Sequence, residues 1–232
     1  MTTRDSCQMA LRKKANEANS ALTSVYGRKS RRSNADPLDT LVATILSQNT
    51  SDVNSHRAFG RLKERYPDWE MLLDTDPSEI APVIRSGGLA DIKARSIVGA
   101  LNRVMEEAGS LKLAFLSKMP TKEAAEWLSS IDGIGPKTAA IVLLFSFGKP
   151  VFPVDTHVYR VSGRLGLLSP RATRESAQKE LEALVPEEEY YNMHLNLIEH
   201  GRRRCRALNP LCDICEISRL CTHHGTSVMA QP

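Results

Sequence analysis

The stretch from residue 131 to residue 145 constrains the fold of this chain more than any other. It reads IDGIGPKTAAIVLLF, so two glycines bracket one apolar residue before a proline, a lysine and an apolar run. Glycine permits positive φ and close approach of the backbone, so Gly133 and Gly135 predict a tight hairpin. Pro136 suits the first position of a helix, where its missing N–H is not needed. We therefore expect a hairpin that opens directly into a buried helix.

Such a hairpin leaves main-chain N–H groups at the start of the following helix, and groups of this kind bind anions readily. Lys137 lies in the first turn, at the positive end of the helix dipole. That position disfavours the charged amine, and an amine that loses its proton easily is a nucleophile. The alternative is a helix-capping turn with a solvated lysine.

Apolar residues recur at helical spacing along most of the chain, with no alternating strand pattern and no longer repeat. The pairs Asp36-Pro37 and Asp76-Pro77 indicate helix starts, since an acid can cap the helix and proline follows it. We also expect Thr121 to cap the helix before the hairpin, and Val53 and Ile92 to point inward from their helices. The prediction is an all-α protein with nine or ten helices.

Bulk composition narrows the class of protein. A length of 232 residues allows one large domain or two small ones, and the net charge of +4 permits a nucleic-acid partner without requiring one. No apolar run approaches the roughly 20 residues that a membrane span needs. The first residues lack the apolar core of a secretory signal. We therefore expect a soluble intracellular protein with no membrane partner.

Four cysteines lie close together near the end of the chain. Cys205, Cys212, Cys215 and Cys221 have the spacing C-x6-C-x2-C-x5-C, which in an intracellular chain indicates a metal site rather than disulfides. Zinc sites usually pair two short knuckles across a longer gap, and only one C-x2-C is present here. An iron–sulfur cluster suits four thiolates on one short segment better. A structural zinc remains the alternative.

A basic cluster lies where this cysteine segment begins. It consists of Arg202, Arg203, Arg204 and Arg206. Arginines of this kind can contact phosphate groups of a nucleic acid. The alternative is that they only offset the negative charge of four thiolates.

Three motifs occur in order along the chain: the hairpin with Lys137, the sequence VDTH at 154–157 and the four-cysteine spacing. In this combination the chain resembles the endonuclease III family of helix-hairpin-helix (HhH-GPD) DNA glycosylases with an iron–sulfur cluster. The resemblance extends from about residue 30 to Cys221. Asp132 stands where the family pattern usually has proline, and an acid in a phosphate-binding turn is expected to weaken that contact.

The resemblance implies an all-α fold of two helical domains flanking a DNA-binding cleft. One would be a six-helix barrel with the helix-hairpin-helix motif, over residues 30–149. The other would be the iron–sulfur cluster domain, over residues 1–29 and 150–232. It would hold a [4Fe-4S] cluster on the four cysteines.

By the same resemblance, Lys137 attacks C1′ of a damaged nucleotide, and Asp155 supports departure of the base and activation of the lysine. Asp155 could also cap the helix that begins at residue 156, and the two roles are compatible. The hairpin, through Gly133, Ile134, Gly135 and Thr138, would contact the DNA backbone.

An enzyme that acts on a base within duplex DNA must flip that base out of the stack. The family fills the gap with a polar side chain after the first barrel helix and an apolar wedge on a glycine loop. Gln48 or Asn49 lies at the first place, where ungapped alignment favours Asn49, and Leu89 lies at the second.

The implied function is a bifunctional DNA glycosylase and AP lyase of base excision repair that removes oxidised pyrimidines. Two alternatives remain: an adenine-mismatch glycosylase of the same family, which would lack the lysine, and a non-catalytic iron–sulfur DNA-binding module. The expected partner is double-stranded DNA with damaged bases or abasic sites. The expected state is a cytoplasmic monomer, associated with the nucleoid if the source is a prokaryote.

Overall fold

The computed structural model describes residues 3–31 and 36–224. Those residues contain helices and no β-strand, so the predicted all-α class is confirmed. In chain order the α-helices are α1 (Thr3–Tyr26), α2 (Pro37–Ser47), α3 (Asp52–Arg65), α4 (Pro77–Val83), α5 (Ala90–Ala108), α6 (Thr121–Ser129), α7 (Pro136–Val142), α8 (Thr156–Leu165), α9 (Arg174–Leu184) and α10 (Tyr190–Arg203). No helix within the described ranges is long and apolar enough to cross a membrane.

The chain divides into two compact units. One combines Met1–Arg31 with Pro150–Pro232, and the other is continuous from Arg32 to Lys149. We call the first the terminal unit, because it contains both ends of the chain, and the second the hairpin unit. Helices α1 and α8–α10 belong to the terminal unit, and α2–α7 belong to the hairpin unit.

Helix α2 is the buried centre of the hairpin unit. Its start is as predicted: Pro37 is in the first turn, and the Asp36 side chain accepts hydrogen bonds from the main-chain N–H groups of Leu38 and Asp39. A helix that is apolar over most of its surface must be covered by other elements. Accordingly α2 packs against α3, α5 and α7, and only positions 37, 39, 40, 43 and 47 are partly exposed. Its fully buried side chains are Leu41, Val42, Ile45 and Leu46.

Three local expectations are wrong. Val53 is 67% exposed and Ile92 is 54% exposed, so neither side chain faces the core. In α3 the buried positions are 55, 58 and 62, and a residue two before position 55 lies on the opposite side of the helix. In α5 the inward position next to Ile92 is taken by Lys93. Thr121 does not cap α6, because Pro120 occupies the N-cap position and makes no side-chain hydrogen bond there.

Helix α10 is the centre of the terminal unit, where it packs against α8 and α1. Its contact with α1 is polar as well as apolar. The Asn192 amide, only 1% exposed, donates to Asn19 Oδ1 at 3.1 Å, to Thr23 Oγ1 at 2.8 Å and to Glu189 Oε2 at 3.2 Å. This network joins the N-terminal helix to a segment about 170 residues later through buried side-chain hydrogen bonds.

Glu189 is the charged member of the network. It also accepts from Asn19 Nδ2 at 2.8 Å and pairs with Arg28 at 2.7 Å. Burial tends to raise the pKa of Glu189, but the hydrogen bonds from Asn19, Arg28 and Asn192 outweigh it, so that the pKa is lowered. The ionised carboxylate is therefore the form that stabilises this unit.

Replacing Glu189 with glutamine is expected to lower the free energy of unfolding by about 1–3 kcal/mol at pH 7, because charge-assisted hydrogen bonds are lost. Since folding lowers this pKa, the contribution is complete above the unfolded pKa of about 4.3 and is lost as pH falls through the folded value. Urea unfolding at a series of pH values should show the difference between the two proteins closing below about pH 4.

The matched control is Glu188→Gln, because Glu188 is the exposed neighbour on the same turn. Its free energy of unfolding should change by less than about 0.5 kcal/mol. Equal losses in the two variants, or a difference that does not depend on pH, would contradict the role given to Glu189.

Candidate active site

The predicted hairpin is present between α6 and α7. Ile131 and Ile134 are both buried, and the N–H of Ile134 donates to the carbonyl of Ile131 at 3.0 Å, which closes the turn. Gly133, between them, has φ of +83°, a conformation that side chains other than glycine rarely adopt. The two isoleucines therefore anchor the turn in the core while its polar backbone faces out.

The two glycines of the hairpin have different physical roles. A Cβ on Gly133 would overlap the side chain of Ser96 on α5, so this glycine is required by space as well as by its φ. Gly135 has φ of −88°, and a Cβ there would meet open space. The sequence predicted a special conformation at both positions, but only Gly133 has one. Gly135 is the N-cap of α7 and has no side chain to cover the helix start.

Lys137 is the second residue of α7 and its side chain is exposed. Asp132 is also exposed, beside Gly133 in the turn. The helical run does not stop at the end of α7, because residues Leu143–Phe147 continue it as a π-helical turn. The amine thus projects from the first turn of a run that is buried further along.

The end of α2 is bonded to the hairpin by Gln48. Its Nε2 donates to the carbonyl of Gly133 at 3.0 Å and to Oγ1 of Thr138 at 3.2 Å. Thr138 is 3% exposed, so this hydroxyl faces inward. Asn49, in contrast, is exposed and has φ of +52°. Of the two polar residues that the sequence left as alternatives, Gln48 is occupied within the protein and Asn49 is presented to solvent.

Leu89 lies at the tip of a loop of the same unit. It has φ of +51°, follows Gly88 with φ of +68°, and is 52% exposed. An exposed leucine with a left-handed backbone is unusual, since this conformation strains residues other than glycine. The loop is bonded from beneath by Lys93, whose Nζ donates to the carbonyl of Gly87 at 2.7 Å. Sequence reasoning missed Lys93, because a lysine between apolar neighbours gives no motif.

Asp155 belongs to the terminal unit and is the N-cap of α8. Its Oδ1 accepts from the N–H of Val158 at 2.7 Å, so the capping role that the sequence allowed is confirmed. The cap uses one carboxylate oxygen and fixes the orientation of the side chain. His157, in the next turn, is within 3.0 Å of Arg160, and burial lowers its pKa although Asp155 acts to raise it.

The four cysteines line one pocket of the terminal unit, with Arg164 and His200 beside them. Arg164 donates to Cys205 Sγ at 3.3 Å and to the carbonyls of Arg206 at 2.6 Å and Ala207 at 3.0 Å. It therefore fixes the start of the cysteine segment and places a positive charge beside one sulfur. Arg164 was not found from the sequence, because it precedes that segment by about 40 residues.

A second contact to the sulfurs comes from His200, which is 1% exposed. Its Nε2 is 3.6 Å from Cys215 Sγ, and its Nδ1 is 3.0 Å from the hydroxyl of Tyr26. Burial lowers the pKa of His200 to about 4, against the opposing effect of Glu216. Burial likewise raises the pKa of Tyr26 to about 12.

The thiols are close enough to shift one another's pKa. Burial raises the pKa of Cys212, and the neighbouring Cys221 and Cys205 raise it further. Burial also raises the pKa of Cys215. Four soft sulfur donors around one pocket, with a guanidinium beside them, fit a group that binds thiolates. In the described part of the chain, no three His, Cys, Asp or Glu side chains have the arrangement of a single bound metal ion.

The four arginines of the basic cluster are in two situations. Arg203 pairs with Glu199 at 2.9 Å, and Arg204 pairs with Glu216 at 3.1 Å. The side chains of Arg202 and Arg206 are exposed. Arg203 is exposed as well, so Arg204 is the half-buried member of the cluster, and sequence position alone did not distinguish it from the others.

The fold is all-helical, and its hairpin opens into a helix whose start has no side-chain cap. Together with the pocket of four thiols, these features are typical of a class of helix-hairpin-helix proteins. The family of HhH-GPD superfamily base excision DNA repair proteins matches residues 42–187. Endonuclease III of Thermotoga maritima is 36% identical over 186 residues, which are 80% of this chain and 83% of that protein. The chain belongs to this superfamily and is a DNA glycosylase of base excision repair.

Two further likenesses bear on the length and the fold of the chain. The structure of a trapped covalent intermediate of endonuclease III with DNA superimposes with a TM-score of 0.79 at 28% identity, covering 98% of this chain and 100% of that one. A longer Arabidopsis thaliana protein, which its name places among the DNA glycosylases, is 39% identical over 165 residues. The matched part is 71% of this chain and spans 56% of that relative.

The hairpin geometry predicts unequal effects of alanine at the two glycines. Gly133→Ala should lower the free energy of unfolding by about 2–4 kcal/mol, because it combines positive φ with overlap against Ser96. Gly135→Ala should lower it by less than about 1 kcal/mol, because only the cap preference is affected. Urea unfolding of the two variants measures the contrast.

The double variant with Ser96→Gly separates the two contributions at position 133. Removing the Ser96 side chain should restore part of the loss in Gly133→Ala, while the backbone strain remains. Similar stabilities for Gly133→Ala and Gly135→Ala would refute the distinction between the two glycines.

Proposed function

We propose that the protein is a bifunctional DNA glycosylase and AP lyase that removes oxidised pyrimidines from duplex DNA. The observation that carries the proposal is Lys137, an exposed amine in the first turn after a hairpin whose helix start has no side-chain cap. Endonuclease III relatives support the choice within the superfamily. An adenine-mismatch glycosylase would not need this lysine.

In the proposed reaction Lys137 is the nucleophile. Its neutral amine attacks C1′ of the flipped nucleotide, and the glycosidic bond breaks as the base takes the bonding electron pair and a proton. Opening of the sugar then converts the C1′–N bond into a protonated Schiff base. Loss of a proton from C2′ expels the 3′ phosphate by β-elimination, and water releases the lysine.

Asp155 is assigned the supporting carboxylate. A carboxylate can take the proton of the attacking amine, or stabilise positive charge that develops on the sugar as the base departs. The bond from Val158 N–H to Oδ1 supports this assignment, because it holds the side chain in one orientation. The two roles of cap and catalyst are compatible, since the cap uses a single oxygen.

The proposed partner is double-stranded DNA with damaged bases or abasic sites, bound by a monomer. We assign Asn49 to fill the gap left by the flipped base and Leu89 to act as the wedge, since both are exposed with left-handed backbones. The hairpin would contact phosphate through main-chain N–H groups. Its side chains at Ile134 and Thr138 are buried and would not take part.

We further assign the exposed side chains of Arg202, Arg203 and Arg206 to phosphate contacts. Arg204 is half-buried and pairs with Glu216, which supports a structural role for it. The exposed Asp132 opposes a nearby phosphate and is expected to reduce affinity at the hairpin.

The proposed cofactor is a [4Fe-4S] cluster held by Cys205, Cys212, Cys215 and Cys221. When bound, it cross-links a segment whose helical content is limited to short 3₁₀ turns at residues 212–214 and 218–220. Arg164 would place a positive charge at the anionic cluster. The hairpin unit would then be the barrel domain and the terminal unit the cluster domain.

The lysine assignment predicts a covalent adduct. With duplex DNA carrying thymine glycol or an abasic site, borohydride should trap the wild-type protein on the DNA. Lys137→Gln should reduce trapping by at least about 100-fold, because the amide cannot form a Schiff base. Gel electrophoresis of the trapped complex measures the adduct.

The matched control is Lys122→Gln, because Lys122 is an exposed lysine of the same unit. It should trap as efficiently as wild type. If the wild-type protein with its cysteines loaded forms no adduct on either DNA, the bifunctional assignment fails.

The cysteine assignment predicts about four irons per chain and broad visible absorption in the purified protein. Cys212→Ser should lose most of the iron, because one thiolate ligand is removed. Cys7→Ser should retain it, since Cys7 is an exposed residue of α1 outside the pocket. One zinc per chain without iron, by elemental analysis, would overturn the cluster in favour of structural zinc.

A further inference from the structure

Lys93 is a buried lysine that contacts the end of a helix and a loop at once. It lies in the first turn of α5 and is 2% exposed. Its Nζ donates to the carbonyl of Leu46 at 2.8 Å and to the carbonyl of Gly87 at 2.7 Å. In the described part of the chain its polar partners are these main-chain carbonyls, and the mechanism above makes no use of it.

Both carbonyls are at the bases of the segments assigned to enter DNA. Leu46 is in the last turn of α2, three residues before Asn49. Gly87 ends the 3₁₀ turn Arg85–Gly87, two residues before Leu89. One ammonium therefore connects the backbone before the gap-filling residue to the backbone before the wedge.

The approach of the two segments is close. A Cβ on Gly87 would lie 3.3 Å from Cβ of Ala58, 3.7 Å from the carbonyl oxygen of Leu46 and 3.9 Å from Nζ of Lys93. Glycine at position 87 thus lets the loop lie against the end of α2. The loop therefore lies within van der Waals reach of the end of α2, and Lys93 Nζ is bonded to both segments.

A charged group at this position is unfavourable by itself. Burial lowers the pKa of Lys93, which reflects the penalty on the charged form. An apolar side chain of similar volume would avoid that penalty. The position of the accepting group offsets part of this penalty, because the last-turn carbonyl of α2 lies at the negative end of a helix dipole, where a cation is favoured. Lysine is useful here because its ammonium group can donate to both carbonyls at once.

The connection continues to the hairpin through the same end of α2. Gln48, two residues after Leu46, donates to Gly133 and Thr138. The wedge loop, the gap-filling residue and the helix of Lys137 are thus connected through one short segment of α2. All of these residues lie in the hairpin unit.

We propose that Lys93 is a positioning residue that holds the Leu89 loop and the Asn49 turn in a fixed relation, so that both enter the duplex together. This inference rests on the proposed function of those two residues. Lys93 does not touch the substrate in this scheme. It acts through the joint entry of Leu89 and Asn49, so that removing the wedge forfeits most of the benefit of holding the two segments together.

The test compares Lys93→Met, Leu89→Ala and the double variant in single-turnover excision of thymine glycol from duplex DNA. Methionine has a similar length but cannot donate to the carbonyls. Each single variant should slow excision about 10-fold or more. Lys93→Met displaces the Leu89 side chain and Leu89→Ala removes it, so both leave the duplex without a correctly placed wedge. In the double variant, Lys93→Met should add less than about 2-fold to the effect of Leu89→Ala.

A second measurement needs no DNA. Hydrogen exchange of Lys93→Met should be faster than wild type at residues 46–50 and 85–90, and unchanged in α6. Lys93→Gln, which can donate to at least one carbonyl, should give an intermediate exchange rate and an intermediate excision rate. Lys122→Met is the matched control and should leave both measurements as in wild type, since that side chain is exposed.

The outcomes separate positioning from general destabilisation. If the effects of Lys93→Met and Leu89→Ala multiply, or if exchange in the two loops is unchanged, the proposal is wrong. If Lys93→Met does not fold, Lys93→Gln serves in the same cycle. If wild-type protein itself excises nothing and forms no adduct, the proposed function fails, while loop exchange still decides whether Lys93 holds the two segments.

Discussion

The burial of α2 is the constraint on which the hairpin unit depends. Most of the surface of this helix is apolar, so three other helices pack against it. Burial of the C-terminal end of α2 adds a second requirement, because the carbonyl groups of a last helical turn need hydrogen-bond partners even when water is excluded. Lys93 and the turn at Gln48 provide bonds there. The covered helix therefore brings the loop before α5 and the hairpin before α7 to the same end.

Few residues of the hairpin need a particular side chain or backbone conformation. Ile131 and Ile134 hold it in the core, and Gly133 alone needs the left-handed backbone. The absence of side chains at Gly135 leaves the start of α7 uncapped, which is unfavourable for stability and useful for binding an anion. The exposed amine of Lys137 follows directly. In the described part of the chain, two of the three non-glycine residues with positive φ, Asn49 and Leu89, lie where DNA contact is proposed, and such strain is common at functional sites.

The terminal unit depends on polar bonds that join residues far apart in sequence. Asn192 and Glu189 hold α1 against α10, and Arg164 holds the cysteine segment against α8. Such buried networks stabilise only when every member has a partner, since an unpartnered group is penalised strongly. The cysteine pocket is thus formed on helices whose positions are fixed by residues outside the four-cysteine motif.

Much of this protein could be predicted from sequence where the signal is local. The starts of α2, α4 and α8 follow from an acid capping the first turn, and the all-α class follows from helical spacing. The hairpin, the lysine and the cysteine spacing are likewise readable in order along the chain. The errors at Val53 and Ile92 arose where neighbours in space, rather than in sequence, decide which side of a helix is covered. The error at Thr121 arose because the helix already begins there, with Pro120 as its N-cap.

Sequence by itself thus determined the helices, the order of the motifs and the superfamily, because caps, glycine turns and apolar periodicity act over a few residues. Tertiary structure decided that Gln48 is bonded within the protein while Asn49 faces solvent, and that a lysine lies in the core. The bonds of Gln48 and the bond of Lys93 to Leu46 join residues about 50 to 90 positions apart. No local pattern encodes such a partner, since the free energy of a buried polar group is set by what surrounds it after folding.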